Sequence, residues 1–358
     1  MLERVLEIFG LKYNSEVAPF GNGLIIRTWK VTTADEAYIL QKINHQVFTS
    51  PTAIAANISS ISQYLRLRHP QYIFPTPIQN MYGKTVLNLD GDSYYRVFPL
   101  VADSHSIDVV TSPKQAYEAA GAFGRFTHLL SAFDATQLQI TLMNFHDLSL
   151  RYQQFQQAIL RGDSDRIAQA QELIQELQAQ QYIAAEYEAI RTSAAFKIRV
   201  THHDTKISNV LFDVNDNSIC VIDLDTVMPG YFISDVGDMM RTYLSPVSEE
   251  EKNISQIQVR EDYFKAIVCG YLREMNEELT EVEKGYFVYA GKFMIYMQAL
   301  RFLTDHLNND VYYGAAYPGH NLLRAYNQAT LLRLLNNKED VLQALVTEAL
   351  ESFVPAVH

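Results

Sequence analysis

Cysteine, glycine, basic charge and long apolar runs are all in short supply, and each shortage excludes a class of protein. Two cysteines, Cys220 and Cys269, stand far apart and outside any CxxC or Cys/His cluster. That excludes a disulfide framework and a zinc site, and both thiols are expected to be small buried apolar residues in a reducing compartment. Glycine supplies 15 of 358 residues, about 4% against the usual ~7%, so no glycine-rich repeat or fibre is at issue. No run approaches 18 apolar residues. The start, Met1-Leu-Glu-Arg-Val-Leu-Glu7, carries charges at helical spacing in place of an apolar signal core. The expectation is a cytoplasmic chain with no membrane partner. Lys+Arg number 29 against 41 Asp+Glu, a net charge of −12. Nucleic acid is therefore not expected as a partner, because duplex binding needs a basic footprint; a small basic pocket for a phosphorylated ligand is compatible with that balance.

What is present is ordinary: 48% apolar and 20% charged residues, in a chain about twice the usual domain length. Residues 1–100 read mostly as strands. Ile25 to Thr32 and Glu36 to Ile43 are β-branched and aromatic runs joined by the polar turn Thr33-Ala-Asp-Glu36. A helix over 51–68 opens at Ser50-Pro51 with Ile54, Ile58, Ile61 and Leu65 on one stripe. Strands are expected again at Thr85–Leu89 and Tyr94–Leu100. Beyond residue 103 the period becomes 3.6, with helices expected over 114–131, 146–161, 164–181, 257–274, 281–307 and 322–335. Strands first and helices afterwards predict an α+β fold.

One stretch, residues 198–225, returns to short β-type runs inside the helical half. It reads His202-His203-Asp204-Thr205-Lys206-Ile207-Ser208-Asn209, then Val221-Ile-Asp223-Leu-Asp225. Phosphoryl transfer needs a carboxylate to accept the acceptor hydroxyl's proton and oxygen ligands for Mg²⁺. A tight loop ending at Asn209 brings that amide to Asp204, and a hairpin brings Asp223 to the same place at a strand end. Asp225, two residues on, counts with Asn209 and Asp223 as a candidate metal ligand. Lys206 can reach a transferring phosphate as a point charge. His202 would brace the loop through hydrogen bonds. The plainer reading is a polar turn followed by a strand that merely ends in acids. It is disfavoured because converging oxygen ligands are costly without a cation.

This pattern resembles the catalytic loop and metal aspartate of the protein kinases, in the variant used by the aminoglycoside phosphotransferase and choline kinase family. The resemblance covers nearly the whole chain. It runs through Pro19-Phe-Gly-Asn-Gly23, Tyr38-Ile-Leu-Gln41, Ala122-Phe-Gly124, Leu130 to Ala135, Phe145-His-Asp147, His202 to Asn209, Ile222 to Gly230, Arg301-Phe-Leu303 and Tyr317 to Leu322. Phe145-His-Asp147 and Tyr317 to Leu322 are similar to the family's sugar 1-kinases, the bacterial N-acetylhexosamine 1-kinase group. The resemblance implies a bilobal protein-kinase-like fold, with a small antiparallel-sheet lobe at 1–97, a hinge at 98–102 and a large, mainly helical lobe at 103–358. It implies ATP as co-substrate, with adenine against Val97, Phe98 and Pro99, and the loop Gly21-Asn22-Gly23 over the phosphates. Asp204 would be the base, Asn209 and Asp223 the Mg²⁺ ligands, and Asp235 the cap of the following helix.

The sequence also departs from that pattern. If Tyr38-Ile-Leu-Gln41 aligns with the kinase strand that carries the phosphate-side lysine, Gln41 takes its place and Lys42 points to the other sheet face. Whether Gln41 or Lys42 serves the phosphates stays open. The helix over 51–68 holds no acid to pair with a lysine. Gly21-Asn22-Gly23 alone is equally a hairpin turn, and Gly83-Lys84-Thr85 has Ile78 where a Walker A loop needs glycine. Leu24 and Ile26 are apolar where the sugar 1-kinases carry polar residues.

Acceptor contacts are therefore sought in the larger lobe. Arg301, in an apolar helix, either touches a sugar or phosphate or pairs with Asp305 or Asp238. Tyr317 is an aromatic wall or a core ring. Thr226 bonds a sugar hydroxyl or closes a turn, and Arg241 stands near the phosphate or caps Asp238. The expected activity is ATP- and Mg²⁺-dependent phosphorylation of a small molecule, foremost the anomeric hydroxyl of an N-acetylhexosamine or related sugar. The alternatives are another hydroxylated acceptor (an aminoglycoside, a choline-like amine, another sugar) or a nucleotide-binding pseudokinase. Nothing in the sequence speaks to oligomeric state.

Overall fold

The computed structural model describes residues 1–11, 16–21 and 26–353. The helix α1 (Leu2–Ile8) precedes β1 (Glu16–Pro19), β2 (Arg27–Thr32) and β3 (Ala37–Ile43). The β2–β3 turn forms where the polar tetrad predicts it. Thr33 N–H donates to the Glu36 carbonyl (2.8 Å), and the Thr33 hydroxyl accepts from Glu36 N–H (3.0 Å). Next come α2 (Pro51–Arg68), β4 (Leu87–Asn88) and β5 (Tyr94–Pro99). The sheet has the order β1-β2-β3-β5-β4, with every neighbouring pair antiparallel. Expected at 85–89, β4 is only two residues long. The Asn88 and Asp90 side chains accept from Gly91 and Ser93 N–H (2.7 Å each) and turn the chain early.

Two hydrophobic clusters organise the molecule. Val5, Leu6, Ile8 and Phe9 pack with Val31, Leu40, Tyr95 and Val97 on one sheet face. The stripe Ile54, Ile58, Ile61 and Leu65 of α2 joins instead the large cluster of the helical half. Asn57 fixes that docking, donating to the carbonyls of Gln139 (2.8 Å) and Val227 (3.1 Å).

The helical half begins after β6 (His105–Ser106), with α3 (Pro113–Leu129) and α4 (Leu148–Arg161). Ser112 and Asp147 cap these two helices through Gln115 and Leu150 N–H. The segment expected as one helix over 164–181 is α5 (Ser164–Gln169) and α6 (Gln171–Ala179), broken where the chain buries Ala170. The helix α7 (Tyr182–Thr192) follows. The β-type insert comprises β7 (Arg199–Thr201), β8 (Val210–Phe212), β9 (Ser218–Val221) and β10 (Met228–Gly230). After it come α8 (Phe232–Tyr243), α9 (Glu261–Met275), α10 (Glu281–Lys284), α11 (Phe287–Leu307), α12 (His320–Asn337) and α13 (Glu339–Ser352). The expected helix 281–307 is split at Gly285-Tyr286. The capping box of Thr280 and Glu283 starts α10, Gly285 is its C-cap, and Glu283 is drawn to Arg199. Cys220 is buried on β9, as expected, but Cys269 on α9 is only half-buried; both thiols are free. No helix among the described residues is long and apolar enough to cross a membrane.

Candidate active site

The loop between β7 and β8 passes through a short 3-10 turn, Ile207–Asn209, and the β8–β9 hairpin returns the chain beside it. Ile222 N–H donates to the Asn209 carbonyl at 2.8 Å, which locks the two ends together. The Asn209 amide donates to both the backbone carbonyl (2.9 Å) and the carboxylate Oδ2 (3.1 Å) of Asp204. Lys206 Nζ lies 3.2 Å from Asp204 Oδ1, and its side chain is half exposed. Asp204 thus has one oxygen on an amide and the other on an ammonium, and the Asp204 charge raises the Lys206 pKa.

Asp223 follows β9 in the left-handed region, φ 59° and ψ 63°, a conformation costly for a residue with a Cβ. It starts the 3-10 turn Leu224–Thr226 that carries Asp225. Burial pushes the Asp223 carboxyl up to about 7, and the negative charges of Asp225 and Asp204 add to that push. These three acids are therefore brought close enough to repel.

The loop is pinned from below by α8. Asp235, expected to cap this helix, does not: the helix begins at Phe232, one turn earlier. Its carboxylate instead accepts from the backbone N–H groups of His202 (3.0 Å) and His203 (2.7 Å). Burial nevertheless pushes its pKa up to about 7. Asp238 accepts from Thr205 N–H at 2.9 Å, and the Tyr243 hydroxyl donates to the Thr205 carbonyl at 2.5 Å. The His202 ring bonds the Ile222 carbonyl at 2.9 Å, the bracing role expected of it. Ser234 bonds both His203 (2.8 Å) and His146. Burial lowers the His203 pKa to about 4 and that of His146 well below the ordinary value. The Phe145-His-Asp147 motif is thereby explained: His146 meets α8 through Ser234, and Asp147 caps α4.

Several sequence candidates fall elsewhere. Thr226 is buried and donates to the His202 carbonyl at 2.6 Å, so it closes the loop and offers nothing to an acceptor. Arg241 is held by two carboxylates: it donates to Asp238 (3.0 and 3.1 Å) and to Glu249 (2.6 Å), and those charges raise its pKa against the effect of burial. It is a structural ion pair and not a free phosphate ligand. Tyr317 stacks near His320, ring centres 4.7 Å apart, under the Lys252 ammonium at 4.4 Å, and is not a core ring. Lys42 lies 5.7 Å from the Tyr95 ring centre. Gly21 has φ +76°, which only glycine adopts freely; Asn22, Gly23 and Leu24 lie outside the described residues. Val97, Phe98 and Pro99 belong to β5 itself, opposite Leu40, Ile39 and Tyr38.

Neither carboxylate suggested for Arg301 pairs with it. Asp305 accepts from Tyr312 and Tyr313 N–H (2.7 and 2.8 Å) and from Asn321, and Asp238 serves Arg241. Arg301 faces the rings of Phe145, Tyr312 and Tyr313 at 5.8, 5.7 and 5.4 Å. It lines a cavity of about 560 Å³ together with Arg151, Tyr312 and Tyr313. A second cavity of about 370 Å³ is lined by residues that include His203, Ser234 and Phe145. Asp204 lines neither.

One side chain that the sequence reading passed over completes the floor. Arg96 on β5 is buried (3% exposed); its Nε donates to Gln41 Oε1 at 2.8 Å, and its Nη1 bonds Asp225 Oδ1. The other Asp225 oxygen is buried with no partner among the described residues. An arginine inside the apolar strand Tyr94–Pro99 was the available signal, since a buried guanidinium requires acceptors.

Among the described residues, no group of three or more His, Cys, Asp or Glu is arranged to hold a metal by itself. The donor set suits a hard cation whose remaining oxygens come from phosphates. Asn209 can supply an amide oxygen, Asp223 a carboxyl whose pKa burial and the neighbouring acids raise, and Asp225 a buried oxygen without a partner among the described residues.

A model of the phosphotransferase enzyme family matches residues 16–264. The chain belongs to that family. Solved structures with the same fold include a microcompartment-associated aminopropanol kinase, at 16% identity and a TM-score of 0.62, with 96% of this chain and 98% of that one covered. Spectinomycin phosphotransferase in complex with ADP and its antibiotic has 12% identity and a TM-score of 0.60, covering 94% and 97%. An ethanolamine kinase of Plasmodium vivax has 13% identity and a TM-score of 0.59, covering 94% and 90%. At these identities the likeness establishes the fold, a protein-kinase-like antiparallel sheet joined to a helical half.

Proposed function

We propose that this phosphotransferase transfers the γ-phosphate of ATP to a hydroxyl of a small molecule, and that the acceptor is a sugar, foremost the anomeric hydroxyl of an N-acetylhexosamine. The observation that carries the reading is the joint hold of Asn209 and Lys206 on the two oxygens of Asp204. In this reading residues 1–97 form the nucleotide lobe, 98–102 the hinge and 103–358 the lobe with the acceptor site. Asp204 accepts the hydroxyl proton. An anomeric hydroxyl is more acidic than an ordinary alcohol, so one carboxylate suffices as base. Lys206 shifts from Asp204 to the transferring phosphate and neutralises charge there. Asn209, Asp223 and Asp225 would hold Mg²⁺, which supplies charge neutralisation on the phosphates. Backbone of Val97 to Pro99 receives adenine, and Gly21 begins the loop over the phosphates. Tyr317 stays a candidate wall at the acceptor entrance.

If the acceptor enters through the Arg301 cavity, which Asp204 does not line, the chemistry there favours a neutral ring over an ammonium. Arg301 and Arg151 share a cavity, the charge of Arg301 helps depress the Arg151 pKa behind the larger effect of burial, and neither has a carboxylate partner among the described residues. Several solved neighbours carry amine-bearing compounds in their names: aminopropanol, ethanolamine and choline. An ammonium beside two guanidinium groups is repelled, whereas a sugar offers ring faces to Tyr312 and Tyr313 and oxygens to Arg301.

The test is a kinase assay with ATP and Mg²⁺ across N-acetylglucosamine, N-acetylgalactosamine, free hexoses, choline, ethanolamine and kanamycin. The expected result is turnover on reducing sugars with loss of the reducing end. Turnover confined to amines overturns the acceptor. Nucleotide binding without turnover on any hydroxyl compound makes the protein a pseudokinase.

A further inference from the structure

Gln41 and Arg96 stand directly opposite each other on β3 and β5. If Tyr38-Ile-Leu-Gln41 aligns with the kinase strand that carries the phosphate-side lysine, that position holds an uncharged amide, and the cation is one strand over. That cation is not free. Its Nε is fixed on Gln41 Oε1 at 2.8 Å, and its Nη1 is fixed on Asp225. Both ends of the ion pair are buried, Arg96 at 3% and Asp225 at 1% exposure. The contact joins the antiparallel sheet to the turn just after Asp223, 129 residues away in sequence. The helix α2 carries no acid, so a lysine–glutamate pair of the protein-kinase kind cannot form there.

We propose that Arg96, aligned by Gln41, is the positioning residue of the metal-binding turn. It holds one oxygen of Asp225 and so leaves the other, which has no partner among the described residues, for a cation–phosphate complex. The side chain must be arginine. A planar fork presents Nε and Nη1 in fixed directions to two acceptors, and an ammonium on a flexible stem does not. The pair also carries the sheet's position to the metal turn, the mechanical task that elsewhere falls to a sheet lysine paired with a helix acid. This role rests on the catalytic reading above and adds to it a residue that does not touch the reacting atoms.

The experiment measures Mn²⁺ binding in the presence of AMP-PNP by electron paramagnetic resonance, and metal-free ADP binding by calorimetry, on the full chain. Kinase kinetics are run in parallel. Partners that orient metal ligands typically change affinity by about 10–100-fold when removed. Arg96→Met should therefore weaken Mn²⁺ binding at least about tenfold, with metal-free ADP binding changed less than about threefold and the acceptor KM unmoved. Arg96→Lys should not rescue it, whereas the exchange Gln41→Arg with Arg96→Gln, which returns a guanidinium to the same cross-strand pair, should rescue it in part. Should Arg96→Met fail to fold, Gln41→Leu keeps the ion pair and removes only its alignment; the expected loss of Mn²⁺ affinity is then about threefold, and no loss overturns the role. Equal losses of Mn²⁺ and of metal-free ADP binding make Arg96 a direct phosphate ligand and overturn it. Unchanged Mn²⁺ binding in Arg96→Met, with the wild type binding Mn²⁺, overturns it while the catalytic reading stands. A wild type that binds no Mn²⁺ with AMP-PNP overturns both.

Discussion

Two buried arginine–carboxylate pairs, one in the helical half and one at the cleft, have the same chemistry and opposite accounts. Arg199 grips Glu283 through both terminal nitrogens, at 2.7 and 2.8 Å. Glu283 also accepts from Lys197 and Thr280 N–H, at 2.9 Å each. Every oxygen there is occupied, as a purely structural pair requires. Arg96 and Asp225 meet through one nitrogen and one oxygen, and a second oxygen is left over in a buried place. Evolution tolerates such a deficit where a ligand completes it. Satisfaction, more than burial, is what separates a fastening from a site.

The widest separation between the two regions is expected at the base. Asp204→Asn should lower kcat by roughly 10³-fold, within the usual range for removing a general base, with an unchanged urea midpoint. Turnover near wild type would show that the base lies elsewhere. At the fastening the effect should invert. Glu283→Ala should cost about 3–5 kcal/mol of stability in urea unfolding, because it strands a buried guanidinium, while kcat per folded molecule stays within about threefold. A larger fall in kcat would erase the distinction between the pairs.

The third prediction concerns acid. His203 is buried neutral, its pKa lowered to about 4 from the ordinary 6.5, a difference equivalent to ~3 kcal/mol. Between those pH values the unfolded chain binds more protons than the folded one, so stability rises with pH there. It is complete above about 6.5 and is lost as pH falls toward 4. His146, lowered in the same direction, adds to the slope. Asp223 and Asp235, raised by burial to about 7, act in the opposite sense over the same range, so the reading is the difference between two proteins. From pH 7 to 4.5 in urea unfolding, His203→Gln should gain stability relative to wild type; an equal change in both contradicts the account. The smallest effect is expected at the acceptor. Arg301→Ala should raise the acceptor KM about tenfold, ~1.4 kcal/mol, with kcat little changed. An unaltered KM would remove Arg301 from the acceptor site.

The sequence made the fold legible wherever pattern and local chemistry agree. The β2–β3 hairpin, α2 with Pro51 at its start and the loop from His202 to Asn209 lie where periodicity and turn residues put them. Elements at the ends of patterns were harder. The 85–89 strand was cut short by Asn88 and Asp90, and α7 and α13 escaped assignment. Within the site, neighbours along the chain were readable because spacing encodes them. Partners across the fold were not. Asp235 seemed to cap a helix because capping is a local act; its two backbone donors come from 32 and 33 residues upstream. The Arg241–Asp238 pair, three residues apart, was one of the two readings open for Arg241, whereas the second carboxylate, Glu249, and the His202 carbonyl that holds Thr226 carry no sequence signature.

The central claim is that Asp204, Asn209, Asp223 and Asp225 form one phosphoryl-transfer floor. A crystal structure with AMP-PNP and Mn²⁺, read by anomalous scattering, tests it most directly. The account predicts an ion at about 2.0–2.3 Å from an oxygen of Asn209 and of Asp223, touching the nucleotide phosphates, with the terminal phosphate turned toward Asp204. An ion bound away from both residues, or a terminal phosphate directed away from Asp204, would contradict it.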